Sequence, residues 1–288
     1  MGTLSPEYFL TKNNLIQVLL QSSITILIAT GEFFAILIAG IDLSVGSILA
    51  LTGMVTAKMM ISGVPIVVAI LLGGVILGGF LGFCNGLLVA KTGLHPFIIT
   101  LGGLSIFRGL TLVISNARPV YGFPPNFQKA FAGEIIGIPI LIIIALVVAF
   151  LFYLITNKTV LGRSLYAIGG NKEAAWLSGI NVKLHIIIVF IFSGISSGIA
   201  GIVMIARLGA AEPLAGSGFE LYAIASVIIG GTSFFGGKGK IIGVVVGAII
   251  IGLINNALNI LNVQTYYQQI VMGGLIISSV VLDKVMSS

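Results

Sequence analysis

Long apolar stretches alternate with short polar connections along this chain. A helix needs about 20 largely apolar residues to cross the hydrocarbon core, because its backbone polar groups must be satisfied within the segment. The stretch near residues 219–235 is short enough for a partly re-entrant segment. The pattern predicts an all-α polytopic membrane protein with nine transmembrane helices, near residues 18–40, 41–60, 66–90, 96–114, 138–157, 184–205, 219–235, 241–261 and 265–283.

The distribution of lysine and arginine predicts the orientation of these helices, because cytoplasmic loops retain basic residues. Lys158, Arg163, Lys172 and Lys183 lie in the connection at 157–184, which we therefore expect on the cytoplasmic side. Alternation of the spans places further basic residues and the C-terminus on the same side. These residues are Lys91, Lys238, Lys240 and Lys284.

The two halves of the chain resemble each other at an offset of about 170 residues. Gly82-Phe-Cys-Asn85 matches Gly252-Leu-Ile-Asn255, and Gly40-Ile-Asp42-Leu matches Gly218-Phe-Glu220-Leu in kind. The four matched spans run in opposite directions in the two halves, as in transporters built from inverted repeats. The first repeat covers about 18–114, the second about 184–283, and the loop at about 158–183 lies between them.

One span, 138–157, precedes the second repeat, and the first repeat has no counterpart to it. We therefore expect a tenth helix upstream of Met1 in a complete molecule.

Composition excludes a soluble globular domain. Hydrophobic residues make up 58% of the chain and charged residues only 8%, whereas soluble domains have about a quarter charged residues. The net charge of +6 comes from basic residues scattered singly between apolar runs, so no nucleic-acid partner is predicted. The lone Cys84 cannot form an intrachain disulfide and is interpreted as a small helix-packing residue.

No catalytic residues, bound cofactor or metal site are predicted. His95 and His185 are far apart and have no neighbouring carboxylates at ligand spacing. The segment Gly231–Gly239 is similar to a phosphate-binding loop, but no serine or threonine follows Lys238. We find no serine, histidine and acid set.

Glycines line one side of the third span. Gly74, Gly78, Gly82 and Gly86 are four residues apart and therefore share a helix face. Small residues at this spacing let two helix backbones approach closely in the membrane. We interpret the stripe as a packing surface.

Polar residues interrupt the apolar sequence at Gly40-Ile-Asp42-Leu-Ser44-Val-Gly-Ser47. A carboxylate near the bilayer core needs a partner or water. Asp42 can cap the following helix and position it, or it can contact the substrate, and the two roles can coexist.

Other polar residues fall within the predicted spans. Glu32 and Arg108 are expected to face the protein interior, to snorkel, or to contact substrate. The remaining candidates for the lining are uncharged, which favours a neutral polyhydroxylated solute. These are Ser44, Asn85, Asn116, Asn255 and Asn256, and the predicted pathway or structural residues are Asp42, Ser44, Asn85, Arg108, Asn255 and Asn256.

The basic loop contains a predicted short helix. Asn171 suits an N-cap, Glu173 suits the positive end of the helix dipole, and Gly179 suits a C-terminal stop. The segment is either an ordinary amphipathic connector or a docking element, and we favour docking because it carries the only tryptophan. The predicted docking residues are Asn171, Lys172, Glu173, Ala174, Ala175, Trp176, Leu177, Ser178 and Gly179.

Three separated motifs together resemble the ribose-type ABC transporter permeases. They are Gly40–Gly53, Leu161–Val182 and Gly230–Gly239, and the similarity runs from about Leu4 to Lys284. The resemblance implies a type II importer-like fold with ten spans in complete members, in the cytoplasmic (inner) membrane of a bacterium.

The resemblance also implies partners. These are a second permease subunit, expected to be identical, a cytoplasmic ABC ATPase that holds ATP and Mg, and an extracytoplasmic sugar-binding protein. The loop helix would be the coupling helix on the ATPase, and the cargo a monosaccharide, with ribose expected.

Alternating access is the mechanism that follows from this resemblance. ATP binding would shift the equilibrium between two conformations, and the permease itself would perform no bond chemistry. The alternative is a secondary transporter or facilitator for a small neutral solute. The basic loop and the scarcity of intramembrane ionisable groups favour the importer.

Overall fold

The computed structural model describes residues 9–287 and is predominantly helical. Its elements are α1 (Lys12–Leu37), α2 (Val45–Ile61), α3 (Ile66–Thr92), α4 (Pro96–Ser115), α5 (Pro125–Ala132), β1 (Glu134–Ile135), β2 (Ile138–Pro139), α6 (Ile140–Lys158), α7 (Val160–Gly170), α8 (Lys172–Leu177), α9 (Val182–Leu208), α10 (Phe219–Ile229), α11 (Ile241–Ile260) and α12 (Thr265–Ser287). Helix α3 passes through a π-helical segment at Ile70–Ile76. Strands β1 and β2 pair as a small antiparallel hairpin.

Seven of these helices are long and apolar enough to cross a membrane: α1, α3, α4, α6, α9, α11 and α12. Two of the nine predicted spans are shorter apolar helices, α2 and α10. The polytopic all-helical fold class is confirmed.

The predicted span at 219–235 is wrong in its second half. Helix α10 ends at Ile229, so it is about 16 Å long at 1.5 Å per residue, against about 30 Å of hydrocarbon. Gly231, Gly236 and Gly237 all have positive φ, a backbone conformation that does not continue a right-handed helix. The predicted span at 41–60 likewise begins later, at Val45.

Helix α7 was not predicted, because the sequence interpretation treated 158–171 as loop. Thr159 caps this helix by accepting a hydrogen bond from the Gly162 amide at 3.2 Å. The Tyr166 hydroxyl donates to the Gly239 carbonyl at 2.8 Å, and burial raises the pKa of the Tyr166 phenol. The helix therefore packs onto the loop that follows α10.

Helix α1 lies at the centre of the bundle. Its side chains are buried from Ser22 to Leu37, and the Phe34 ring contacts Phe152 of α6 and Phe192 of α9. Helices α4 and α12 are mostly exposed in this single chain. Apolar exposure is normal for helices that face lipid or another transmembrane subunit.

The glycine stripe packs α3 directly against α9. A Cβ added at Gly82 would lie 2.0 Å from the Phe190 carbonyl oxygen, and one at Gly78 would lie 2.4 Å from that of Gly194. Glycines on α9 face the stripe in return, since a Cβ at Gly198 would lie 2.2 Å from the Gly74 oxygen. The packing interpretation of the stripe is confirmed.

Several polar segments share one end of the bundle, which we call the basic end. The Gly237 amide donates to the Leu37 carbonyl at 2.9 Å, so the loop after α10 touches the end of α1. A cavity there is lined by Gly169, Lys238 and Lys284, and a neighbouring one by Lys172 and His95. The cytoplasmic location of this end stays a prediction.

The helices of the two halves follow a similar order. A long helix, a shorter one and two further long helices form both α1–α4 and α9–α12. The inverted repeat predicts this order, and the repeat itself stays a prediction.

We expect Gly82→Ala to lower the thermal unfolding midpoint of the detergent-solubilised protein by several degrees, because the new methyl group must push α3 away from α9. Gly170→Ala, at the end of α7, is the control, since a Cβ there meets nothing within 4 Å. The midpoints can be measured by fluorescence-monitored size exclusion after heating. Equal midpoints for the two variants would contradict the packing.

Candidate functional site

Asp42 joins three helices at the start of α2. Its Oδ1 accepts hydrogen bonds from the Ser44 amide at 3.0 Å and the Ser44 hydroxyl at 2.5 Å, and its Oδ2 accepts from the Ser193 hydroxyl of α9 at 2.7 Å. Asn85 of α3 donates to the Ser44 hydroxyl at 2.9 Å. All four side chains are buried. The network positions the N-terminus of α2, and both carboxylate oxygens of Asp42 are occupied within it.

Two further side chains hold the irregular segment before α2. Glu32 Oε1 accepts from the Asp42 amide at 3.0 Å, while its Oε2 is buried without a hydrogen-bond partner among the described residues. Thr100 of α4 accepts from the Leu43 amide at 3.1 Å. Glu32 faces the protein interior, which is one of the alternatives expected from the sequence, whereas Thr100 was not selected.

Arg108 lies at a second junction, between α4 and the connection that leads to α10. Its Nη1 donates to the carbonyls of Pro213 at 2.9 Å and Ala215 at 2.8 Å, and its Nη2 donates to the Gly46 carbonyl at 3.4 Å. The Arg108 side chain is half-buried. It therefore ties the non-helical connection before α10 to the first turn of α2.

Apart from Asn85, the predicted asparagines do not join either junction. Asn256 exchanges hydrogen bonds with Asn14, at 2.8 and 3.0 Å, beside the start of α1. Asn255 is buried, and its Oδ1 has no partner in the described part of the chain. Asn116 is an exposed C-cap of α4 with φ +52°. Of the predicted pathway residues, the structure brings together Asp42, Ser44 and Asn85.

The predicted loop helix is present as α8, from Lys172 to Leu177. Asn171 caps it by accepting from the Ala174 amide at 2.9 Å, and Gly179 follows it with φ +85°. Trp176 is 66% exposed and Leu177 72% exposed, whereas Ala175 is buried against the bundle. The helix therefore presents two large apolar side chains outward at the basic end.

A cavity of about 730 Å³ lies between α8 and the transmembrane helices. Val89 and Ala90 of α3 line it on one side, Val182 and Ile186 of α9 on another, and Trp176 at its edge. Helix α8 thus borders the two helices that pack through glycines.

No group of three or more histidine, cysteine, aspartate or glutamate side chains that could hold a metal occurs among the described residues. The residues missed by sequence reasoning are Thr100, Ser193 and Glu220. The repeat match between Asp42 and Glu220 was a usable signal for the last one, whereas Ser193 is 151 residues from its partner.

Removing the Asp42 carboxylate should destabilise the protein. Asp42→Ala leaves buried donors of Ser44 and Ser193 unpaired, which costs about 1–3 kcal/mol for each buried group. Asp42→Asn keeps an acceptor for Ser44 and should lower the thermal unfolding midpoint less. Glu134→Gln, at an exposed position in the hairpin, is the control. Equal losses in the alanine and asparagine variants would contradict the hydrogen-bonding role.

Comparison with known proteins gives several full-length relatives. D-allose transport system permease protein AlsC of Escherichia coli (strain K12) is 64% identical over 286 residues, covering 99% of this chain and 88% of that protein. Ribose import permease protein RbsC of Bacillus subtilis (strain 168) is 44% identical over 286 residues, covering 99% and 88%. L-arabinose ABC transporter permease protein AraH of Azospirillum brasilense is 36% identical over 276 residues, covering 96% and 81%.

No solved structure matches the chain, so the type II architecture stays a prediction. A family model described as "Branched-chain amino acid transport system / permease component" matches residues 14–280. This match and the relatives agree over almost the whole sequence. The chain therefore belongs to this family of multi-pass permease components of transport systems.

Proposed function

We propose that the chain is the transmembrane permease subunit of an ATP-driven importer that carries a monosaccharide into a bacterial cytoplasm. The observation that carries this proposal is the 64% identity, over 99% of the chain, with a protein named as a D-allose transport system permease. Full-length similarity to permeases named for ribose and L-arabinose supports a sugar as the cargo.

Helix α8 is the proposed contact with the cytoplasmic ATPase. Exposed aromatic and large apolar side chains are typical anchors of protein interfaces, and Trp176 and Leu177 are exposed together on one short helix. Helix α9 begins at Val182, just after α8. Motion of α8 can therefore reach Ser193 of α9 and, through it, the Asp42 junction.

A second copy of the chain is the proposed partner within the membrane. Helices α4 and α12 are the least buried of the long apolar helices, and they occupy corresponding places in the proposed repeat. Gly102 and Gly109 of α4 and Gly273 and Gly274 of α12 have open space where a Cβ would be. Small residues of this kind allow close helix packing between subunits.

The same proposal assigns the two sides of the membrane and the remaining partner proteins. The basic end is cytoplasmic and carries the C-terminus, and the sugar-binding protein docks at the opposite end. ATP and Mg are bound by the ATPase and not by this chain. Transport proceeds by alternating access, driven by the different affinities of ATP for the two conformations.

We propose D-allose as the preferred cargo and D-ribose as a weaker one. The sequence motifs led to ribose as the expected cargo, and the ribose permease of Bacillus subtilis is 44% identical to this chain. The permease named for D-allose is more similar, at 64% identity. Both sugars are neutral and polyhydroxylated.

Reconstitution of the chain with its ATPase and sugar-binding protein in proteoliposomes tests the function. Radiolabelled D-allose should accumulate only when ATP, the ATPase and the binding protein are all present, and faster than D-ribose. Omission of each component in turn provides the controls. Uptake without ATPase and nucleotide would overturn the importer and support a secondary transporter.

Trp176→Ala should lower sugar-stimulated ATP hydrolysis by more than about tenfold without affecting membrane insertion, because a central aromatic anchor contributes about 2 kcal/mol or more to an interface. Gly179→Pro should have a similar effect, since proline cannot adopt its φ of +85°. Phe80→Ala, on the exposed apolar face of α3, is the control. Unchanged stimulation in Trp176→Ala would remove α8 from the mechanism.

A further inference from the structure

The two shorter helices, α2 and α10, begin close to each other. A Cβ added at Gly46, the second residue of α2, would lie 2.2 Å from the Gly216 carbonyl oxygen, just before α10. The same Cβ would lie 2.8 Å from Glu220 Oε2. Glu220 of α10 and Arg108 of α4 therefore both reach the start of α2, and Gly46 leaves space for the carboxylate.

Hydrogen-bonding capacity remains unused at this place. A guanidinium has five N–H donors, and three hydrogen bonds from Arg108 go to backbone carbonyls. Glu220 Oε1 accepts from the Gly218 amide at 3.2 Å. No side chain in the part of the chain that the structure describes donates to its Oε2, and the Glu220 side chain is partly exposed. Donors of Arg108 and an acceptor of Glu220 thus both lie beside Gly46, and both side chains are partly exposed.

The position of this pair along the helices excludes a lipid-facing surface. Arg108 is about 18 Å from the start of α4 at Pro96 and about 10 Å from its end at Ser115, at 1.5 Å per residue. A charged group at such depth faces a protein interior or a water-filled cavity, because contact with lipid is too costly. The exposed part of this pair therefore faces another protein surface or a water-filled cavity and not lipid.

The matching position in the first half has no such open group. Asp42, which corresponds to Glu220 in the proposed repeat, is fully buried, and both of its carboxylate oxygens accept hydrogen bonds. Transporters with this kind of repeat place their substrate sites near short or interrupted helices at corresponding positions of the two halves. At the first junction Glu32 Oε2 is unpaired among the described residues but fully buried, whereas the carboxylate of Glu220 at the second junction is partly exposed and accessible to a ligand.

We propose that Arg108 and Glu220 form a contact site for the vicinal hydroxyl groups of the transported monosaccharide. One hydroxyl donates to Glu220 Oε2, and the neighbouring hydroxyl oxygen accepts from the remaining N–H groups of Arg108. The carbonyls of Pro213, Ala215 and Gly46 hold the guanidinium in place. This inference rests on the proposed sugar transport and adds a specific site to it.

Site-directed labelling tests the contact directly. Ser217→Cys, introduced after Cys84→Ser, places a thiol at an exposed position three residues before Glu220. In nanodiscs containing the permease and its ATPase, millimolar D-allose should slow labelling by a membrane-impermeant maleimide by several-fold, whereas betaine should not. Adding Glu220→Gln should abolish this protection. Protection that persists in Glu220→Gln, or that never occurs, would overturn the proposal.

Transport provides a second readout. Glu220→Gln and Arg108→Gln should lower D-allose uptake per ATP hydrolysed by about tenfold, the effect of losing about 1.4 kcal/mol. Stimulation of ATP hydrolysis by the loaded binding protein should persist in Glu220→Gln, which a folding defect would not allow. Glu212→Gln, in the same connection, is the matched control and should behave like the unmodified chain.

The outcomes separate the two proposals. Absence of ATP-dependent uptake by the unmodified chain would refute the importer, whereas normal uptake with an unaffected Glu220→Gln would refute only the contact site. The labelling experiment does not depend on ATP-driven transport and decides the contact in either case.

Discussion

Unpaired backbone groups within the membrane are the constraint on which this structure depends. The segments before α2 and α10 leave helical geometry between membrane-spanning helices, so their amides and carbonyls need partners outside a helix. Before α2, the amides of Asp42, Leu43 and Ser44 are bound by carboxylate and hydroxyl side chains. Before α10, the Pro213 and Ala215 carbonyls are bound by a guanidinium. The few ionisable residues inside the spans thus stabilise the fold by binding these backbone groups.

The two junctions solve this problem with opposite charges. Free amides at the first junction are paired with carboxylates, and free carbonyls at the second are paired with Arg108. Ser193 completes the first junction and leaves it closed, whereas Glu220 Oε2 leaves the second open. A closed junction suits a fixed joint between α1, α2 and α9. An open one suits contact with a passing polar solute.

Hydrophobic periodicity predicted most spans correctly, because lipid imposes the same length and composition on every crossing helix. It failed beyond Ile229, where Phe234 and Phe235 continue the apolar pattern while the glycines around them end the helix. The motif around Asp42 and Ser44 was informative since a carboxylate in an apolar run must have a partner.

Other site residues could not be predicted in the same way. Ser193 sits in an apolar helix with no local signal, and only the fold brings it to Asp42. Asn255 matched Asn85 of the first half in sequence. Its neighbour Asn256, however, forms a hydrogen bond with Asn14 at the start of α1, away from the Asp42 junction. Residue type alone therefore grouped side chains that the fold separates.

Close packing decides which parts of the bundle can move. Helices α3 and α9 meet through backbone atoms at Gly78, Gly82 and Gly194, so neither can slide past the other without a clash. Force applied at α8 would therefore move these two helices together. Helix α4 contacts the connection before α10 through the flexible side chain of Arg108, and the segment after α4 joins the same connection through the paired backbone groups of Val120 and Ala211. Side-chain hydrogen bonds such as those of Arg108 can be exchanged one at a time. The carboxylate of Glu220 lies at the same contact, so under the proposed alternating access the exchange of these hydrogen bonds and the release of a bound hydroxyl group would occur at one place.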